Sequence, residues 1–366
     1  MDIQIEYRHE SGFGKFLAKM KGQTVALMYD VNTKPYALPF KEELENSGAT
    51  VLDVYYTDEE LVPSEDKCDY AFEIASSATY VLAVGSGTLN DMAKSVSTRL
   101  SIPCGVLATA ASMDGYCSKG AALMRGGFKV TDEVHTPTDI LIDLEIVRKA
   151  PKLMTAAGFG DIMGKFTCLT DWQMANAVKD EPIHSEAFAL MEEARSACLD
   201  AFEDLTKYKG EAVAKLMNAL ITAGLSMAMC GNSRPASGSE HHISHYLEMD
   251  FVRRGERIPL HGLKVAIGTL ISIEIYQYIA ANKLQFKGAE RVYELANALP
   301  TAKYMQGLLV KMGCPVRFSQ IGVRKEVMEA AIEKAYTVRD RYTVLTLAHE
   351  LGITDKIKPI LMEKYY

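Results

Sequence analysis

The chain has 366 residues, too many for one ordinary core and enough for two domains. Nearly half of them are apolar and 24% are charged, which is the composition of a folded globular protein and not of a disordered one. A net charge of -7 with both signs scattered argues against nucleic acid as a partner, since a phosphate backbone needs a basic face, but it leaves room for a local basic pocket that takes a small anion.

In the first 150 residues short apolar runs alternate with helical patterns. QTVALMYD (23–30) predicts a buried strand, and 35–48 predicts a helix in its second half that ends at Gly48. ATVLDVYY (49–56) is the next strand, 66–78 a helix, and YVLAVGSG (80–87) a strand stopped by glycines. LNDMAKSVSTRL (89–100) is a helix and CGVLATA (104–110) a strand. AALMRGGFKV (121–130) predicts a hairpin around Gly126 and Gly127, and DILIDLEIV (139–147) the last strand. Strands alternating with helices imply a Rossmann-like parallel sheet with covered faces.

The pattern changes at Pro151, a residue suited to the first turn of a helix. From there the chain shows long helical stretches (185–205, 211–229 and 263–280) and few strand signals. The expectation is an α/β domain over 1–150, an all-α domain over 151–366, and an active site in the cleft between them.

The seven cysteines are odd in number and form no C-x-x-C pair, so neither a disulfide framework nor a zinc knuckle is expected. The opening MDIQIEYRHE is charged where a secretion signal needs an apolar core. No run approaches the roughly 18 to 20 apolar residues of a membrane span. A cytoplasmic location without a membrane partner follows as an expectation.

Four constellations could carry chemistry. Gly85-Ser86-Gly87-Thr88, with Asn90 and Asp91 following, closes a buried strand and opens a helix. Glycines there admit a phosphate to the backbone, and the helix N-terminus offers free N–H groups and a positive dipole end. The spacing is not G-x-G-x-x-G, so an ordinary strand-to-helix turn would read the same way. Thr109, Ser112 and Asp114 follow the next strand, at the end of a parallel sheet where ligands bind, although Asp114 could merely cap a turn.

The histidines give the sharpest signal. Four of the eight, His241, His242, His245 and His261, fall within 21 residues. Ser237 and Glu240 match a capping box, so a helix is predicted to start there and to put His241 and His245 on one face. A divalent metal takes imidazole with carboxylate and keeps one position open for catalysis. The carboxylate candidate is Asp161, which could otherwise be a helix N-cap. Lastly, Arg234 lies among small polar residues and could grip a phosphate with a bidentate fork, or be an ordinary surface arginine. Lys94 and Lys165 are further cations that solvated faces would explain equally well.

Together these phrases resemble the iron-type alcohol dehydrogenase and dehydroquinate synthase superfamily, within it the sn-glycerol-1-phosphate dehydrogenase branch. GSGTLNDMAK, TAASMDGYCS, GFGDIMGK, SRPASGSEHHISH and LHGLKVAIG stand in that branch's order. The resemblance implies a pyrophosphate held at Gly85, Ser86, Gly87 and Thr88, with Asp91 supporting the turn. It implies nicotinamide contacts from Thr109 and Ser112, with Ser118 shortly after, and Asp114 near the substrate hydroxyl. The metal ligands would be Asp161, His241 and His261, with His245 close by as a proton-relay candidate. Asp30 would accept from the adenosine ribose and repel a 2′-phosphate, favouring NAD(H) over NADP(H). One divalent metal is implied, zinc foremost, with nickel and iron served by the same ligands.

The implied activity is a metal-dependent NAD(P)-linked dehydrogenase interconverting dihydroxyacetone phosphate and sn-glycerol 1-phosphate, in phospholipid metabolism. Its partner would be a small phosphorylated polyol or ketone, with Arg234 on the phosphate, in a homo-oligomer that is a dimer or larger. Two rival activities share the scaffold. A carbocycle-forming synthase of the dehydroquinate synthase type would show no net consumption of NAD, and those relatives carry glutamate where this chain has Asp161. An unphosphorylated polyol dehydrogenase, such as one acting on glycerol, would not depend on Arg234. A binding protein that lost catalysis would bind no metal.

Overall fold

The computed structural model describes residues 3–10, 12–126 and 128–366. Eight strands occur among them: β1 (Gln4–Tyr7), β2 (Thr24–Asp30), β3 (Thr50–Tyr56), β4 (Tyr80–Gly85), β5 (Cys104–Ala108), β6 (Gly120–Arg125), β7 (Phe128–Glu133) and β8 (Asp139–Ile142). Six build one sheet in the order β1-β8-β5-β4-β2-β3, parallel at every pairing. β4, β5 and β8 are buried at every residue and β2 at all but its first, because helices cover both faces of a parallel sheet. Phe13, Phe16, Phe40 and Leu44 pack with Tyr80, Leu82 and Leu107 in the core on one side. β6 and β7 form the expected antiparallel hairpin; of its two turn glycines, Gly127 lies outside the described residues.

The strand order reverses beside β2. The chain runs from β2 to β3 on one side, then returns to place β4 on the other. Such a switch point opens a crevice at the carboxyl ends of the two strands. Met28 of β2 pairs with Ala83 of β4, so two more residues on each strand bring Asp30 and Gly85 to the rim of that crevice.

The chain divides into two compact units. One comprises Met1–Ala111, Gly115–Pro151 and Tyr208–Ala214, and the other Ser112–Asp114, Lys152–Lys207 and Lys215–Tyr366. The second unit is helical. Its central element is the helix His261–Ala281, which packs on Lys152–Met163 and on Ser239–Arg254. Small residues let these backbones meet. A Cβ on Gly262 would lie 1.8 Å from the Ala157 carbonyl oxygen, and one on Gly268 would lie 2.6 Å from that of Glu240.

Several local expectations change. β1 has no apolar signature, being an edge strand with two exposed and two half-buried residues, and only its pairing with β8 makes it a strand. The helix expected in the second half of 35–48 covers Lys34–Asn46, with Pro35 in its first turn, where no N–H is needed. The run 139–147 is strand only to Ile142. Asp143 then accepts from the backbone N–H groups of Glu145 and Ile146 and starts a helix, Leu144–Lys149. Two helices, Gly210–Cys230 and His261–Ala281, prove long and apolar enough to cross a membrane by composition, contrary to the reading of the unfolded string. Most of the second is buried inside its own unit, the signature of a core helix.

Candidate active site

Asp161 sits in the helix Lys152–Met163 and is completely buried, not at a helix N-cap. His241 is in the first turn of Ser239–Arg254, and His261 is the first residue of the central helix. The close crossing of these three helices brings one ligand atom from each of Asp161, His241 and His261 within 4.8 Å of one another. The Nε2 of His241 stands 3.6 Å from Oδ1 of Asp161. His241 and His261 rings lie 5.0 Å apart at their centroids.

Carboxylates hold these rings from behind. Oε1 of Glu240 is 2.7 Å from Nδ1 of His241, and Oε1 of Glu248 is 3.4 Å from Nδ1 of His261. A proton on each Nδ1 leaves both Nε2 lone pairs for a cation, the arrangement of metal-ligating histidines. The donor set of one carboxylate and two imidazoles fits a divalent transition metal with an open position. Burial holds His241 well below the ordinary histidine range, helped by the Lys165 charge, so its imidazole is neutral as ligation requires.

The helix start differs from the expected capping box. The N-cap is Gly238; Ser237 makes no cap bond, and its hydroxyl finds no partner. Instead Glu240 accepts from the Gly238 N–H, and Asp171 accepts from the Ser239 N–H at 2.6 Å. Asp171 also accepts from the Tyr276 hydroxyl and the Val344 N–H, so one buried carboxylate ties three segments of the helical unit. Glu240 is drawn toward the histidine as well as the backbone. Burial and the Asp171 charge push its carboxyl up to about 7.

Lys165, one helical turn after Asp161, is fully buried and not on a solvated face. Its ammonium donates to Oδ2 of Asp114 at 2.6 Å, to Oδ1 of Asp161 at 2.9 Å and to the Ala236 carbonyl at 2.8 Å. Burial opposes its charge, yet the two carboxylates overcome it and raise its pKa. The Asp114 N–H donates to Oδ2 of Asp161. Asp114 is thereby fixed beside the metal triad and does not cap a turn. Burial, with Asp114 next, pushes the Asp161 carboxyl above its usual range. His245 shares the face of His241, with ring centroids 6.2 Å apart. Its Nδ1 is 3.3 Å from Glu248, its Nε2 is 3.2 Å from Arg339, and burial holds it down at about 4.

In the sheet unit, β4 ends at Gly85 and the helix Gly87–Leu100 follows at once, with Ser86 as an N-cap that makes no side-chain cap bond. Ser86, Gly87 and Thr88 are half-buried, and Thr109 lies beside the turn with its N–H on the Gly85 carbonyl. Asp91 and Lys94 act behind it. Asp91 accepts from the Ala122 N–H and pairs with Lys94 at 2.8 Å. Lys94 is fully buried, again not on a solvated face, and donates to the carbonyls of Gly115 and Gly120 and to the Ser118 hydroxyl. Ser118 is thus engaged with its own loop, donating toward Gly115 and Gly120. Ser112 is buried and stands two residues before Asp114 in the other unit. At the rim of the β2/β4 crevice, Oδ1 of Asp30 accepts from the N–H groups of Asn32 and Thr33 and from the Thr33 hydroxyl.

Arg234 is buried, and its guanidinium forks onto both carboxylate oxygens of Glu181 and onto the Tyr342 carbonyl; its Nη1 has no partner. Beside it stand two arginines that the sequence reading passed over, Arg339 and Arg341. Both donate to the Ser233 hydroxyl, and Arg341 also to the Ser237 carbonyl. Glu240 and Glu248 were also missed as partners of the histidines, although each lies within the quoted histidine run or shortly after it.

The model for the iron-containing alcohol dehydrogenases matches residues 6–151. A glycerol-1-phosphate dehydrogenase [NAD(P)+] of Halalkalibacterium halodurans is 36% identical over 282 residues, 74% of this chain and 71% of the relative. Its counterpart in Methanosarcina mazei is 31% identical over 320 residues, covering 87% and 81%. Among solved structures, a probable glycerol dehydrogenase from Sinorhizobium meliloti superposes with a TM-score of 0.68 at 18% identity over 98% of both chains, a likeness of fold. Identity at this level over most of both lengths shows that the chain belongs to the glycerol-1-phosphate dehydrogenase family of the iron-containing alcohol dehydrogenases.

Proposed function

We propose that the chain is a divalent-metal-dependent NAD(P)-linked dehydrogenase that interconverts dihydroxyacetone phosphate and sn-glycerol 1-phosphate. The observation that carries this reading is the convergence of Asp161, His241 and His261 within 4.8 Å, each histidine backed by a carboxylate, in a member of this family. When bound, the metal supplies Lewis acidity to the substrate's reacting oxygen and the nicotinamide supplies or takes the hydride. Asp161, His241 and His261 would hold the metal, with zinc favoured by the nitrogen and carboxylate donors. The helical unit carries this centre, and the sheet unit would hold the dinucleotide at Gly85, Ser86, Gly87 and Thr88.

The chain's own residues prepare the step. Glu240 and Glu248 fix ring orientation. Lys165 holds Asp114 through Oδ2 and leaves Oδ1 to receive the substrate hydroxyl proton; Thr109 in the sheet unit and Ser112 in the helical unit are the candidates for nicotinamide contact. His245 is kept neutral by burial and is a second relay candidate. Asp30, whose Oδ1 is taken by its own turn, would use Oδ2 to accept from an adenosine ribose at the switch-point crevice, which would favour NAD(H). A metal-replete sample mixed with NADH or NADPH and dihydroxyacetone phosphate should lose absorbance at 340 nm, and a chelator should stop the loss. No loss with dihydroxyacetone phosphate, or a loss indifferent to the chelator, defeats the reading.

A further inference from the structure

The helical unit contains a pocket of about 560 Å³ whose lining includes Lys179, Tyr336, Arg339, Arg341, Tyr342 and Glu350. Two acids also line it: Asp340, between the two arginines in the chain, and Glu350, which pairs with Lys179 at 3.0 Å and accepts from the Tyr342 hydroxyl at 2.6 Å. Arg339 and Arg341 are different. Among the described residues neither forms an ion pair, and the hydrogen bonds of both go to neutral groups: the hydroxyl of Ser233 for each, the Ser237 carbonyl for Arg341, and the His245 imidazole for Arg339. Arg234 adds a third guanidinium whose buried Nη1 has no partner.

We propose that Arg339 and Arg341, with Nη1 of Arg234, form the subsite that grips the phosphate of a phosphomonoester substrate, one side chain away from the metal triad. The inference rests on the reading of the chain as a dehydrogenase of a phosphorylated substrate and names the residues that select for the phosphate.

Three features carry it. First, the fold sets three like charges side by side, and of them only Arg234 has an ion pair, with Glu181; the pocket's acids Asp340 and Glu350 form none with Arg339 or Arg341 among the described residues. Burial lowers the pKa of both arginines, that of Arg341 to about 10 with Arg234 and Arg339 contributing, while Glu248 partly offsets the burial of Arg339. Such a cluster opposes folding unless an anion completes it, and guanidinium forks match phosphate oxygens in pairs. Second, polar groups left without partners are concentrated around it. His242 is completely buried with neither ring nitrogen bonded, and the hydroxyl of Ser237 is likewise orphaned. His242 lies in the field of all three guanidinium groups. Buried orphans in one place call for an unseen ligand or water. Third, the location suits a short substrate. Arg339 touches His245, whose ring is 5.7 Å from that of His261, so an anion on Arg339 would leave a small molecule's other end near Asp161, His241 and His261.

The test uses the full-length protein and two probes. Inorganic phosphate is titrated calorimetrically into metal-stripped wild type, Arg339→Gln and Arg339→Lys. Binding should be seen in wild type, weakened roughly ten- to hundredfold in the glutamine variant and partly kept by lysine, which retains charge without the fork. Unchanged binding in Arg339→Gln overturns the proposal. The second probe is the ratio of kcat/KM for dihydroxyacetone phosphate to that for dihydroxyacetone. It should fall by a similar factor in Arg339→Gln and in Arg341→Gln, whereas a purely structural role would lower both values together and leave the ratio alone. The two readings fail separately. Phosphate binding that depends on Arg339 in a protein that reduces no ketone would sink the dehydrogenase reading and keep the subsite. Reduction of dihydroxyacetone phosphate whose preference over dihydroxyacetone survives both substitutions would do the reverse.

Discussion

Replacing Gly262 by alanine should empty the metal centre without touching a ligand. A Cβ at this position would stand 1.8 Å from the Ala157 carbonyl oxygen and 3.1 Å from the Asp161 Cβ. A carbon and a carbonyl oxygen rest at about 3.3 Å or more, so the central helix must move about 1.5 Å from the helix that carries Asp161. Gly262 follows His261 directly, so the displaced segment is the one that presents a ligand. Metal–ligand distances tolerate only about 0.2 Å, and the neighbouring pair Gly160 and Ala266 leaves no slack, since a Cβ on Gly160 already meets the Gly262 carbonyl at 2.6 Å. Overpacking of this kind costs about 1–3 kcal/mol of stability. Loss of one ligand from the centre should weaken metal binding at least about a hundredfold, about 2.7 kcal/mol. The assay is zinc competition against a chromophoric chelator, with thermal unfolding alongside. Gly307→Ala serves as the control: this glycine is also within a helix, nothing lies within 4 Å of its Cβ position, and alanine there should stabilise by about 0.5–1 kcal/mol. A Gly262→Ala protein that binds zinc as tightly as wild type and melts at the same temperature would refute the claim that helix contact sets the site.

Removing the carboxylate behind His261 with Glu248→Gln should weaken metal affinity about 10- to 100-fold while leaving all three ligands in place, measured by the same competition; equal affinity would remove Glu248 from the centre. Acid should destabilise the metal-stripped protein through its buried histidines, with Glu240, held at about 7 by burial, taking up one proton in the folded chain and offsetting part of the slope. His242 is held at about 3, by burial and then by Arg341 and Arg339, and His245 at about 4, mainly by burial. The unfolded chain takes up these protons near pH 6.5 and the folded chain refuses them. The histidine contribution is therefore full above that pH and falls by about 1.4 kcal/mol per pH unit per histidine until the folded value is reached. Urea unfolding at pH 7, 6 and 5 should show this slope, and His242→Asn should make it shallower; an unaltered slope contradicts the burial. Six of the seven cysteines are buried and Cys230 is half-buried, so a thiol reagent should modify one group in the native protein and seven in urea. Rapid modification of two or more native thiols would show that the helical and sheet cores open readily.

The sheet was legible because burial on both faces leaves an unmistakable trace. β2, β4, β5 and β8 are uninterrupted apolar runs, and each is bounded by a glycine, a charge or a helical pattern. What the string concealed depends on partners. β1 reads as a charged edge and gains strand geometry only from β8. The start of the His241 helix invited a capping box from Ser237, because serine three residues before glutamate is the usual pattern. Asp171, 68 residues away, takes the Ser239 N–H instead, while Glu240 accepts from the Gly238 N–H and holds the imidazole. Propensity gives way there to a buried carboxylate that no local window contains.

The candidate site divides along the same line. Asp161, His241 and His261 could be singled out because their residue types are chemically narrow and because their phrases stand in a family's order. That they meet is a matter of helix packing, since Asp161 and His241 are 80 residues apart and only glycines at the crossings let the backbones close. Lys94 and Lys165 looked like solvated charges since nothing in sequence tells a lysine on a helix which way it faces. Their complete burial, each wrapped by carboxylates and carbonyls, gives them a positioning role: one ties the loop after β5, the other fixes Asp114 against Asp161. Arg339 and Arg341 carried no signal at all. They stand in a short irregular segment without periodicity, and what marks them is a deficit that appears only in three dimensions: guanidinium groups whose hydrogen bonds go to neutral acceptors, next to orphaned polar groups, with no ion pair among the described residues. A binding site of this kind is written as missing partners, and missing partners have no sequence.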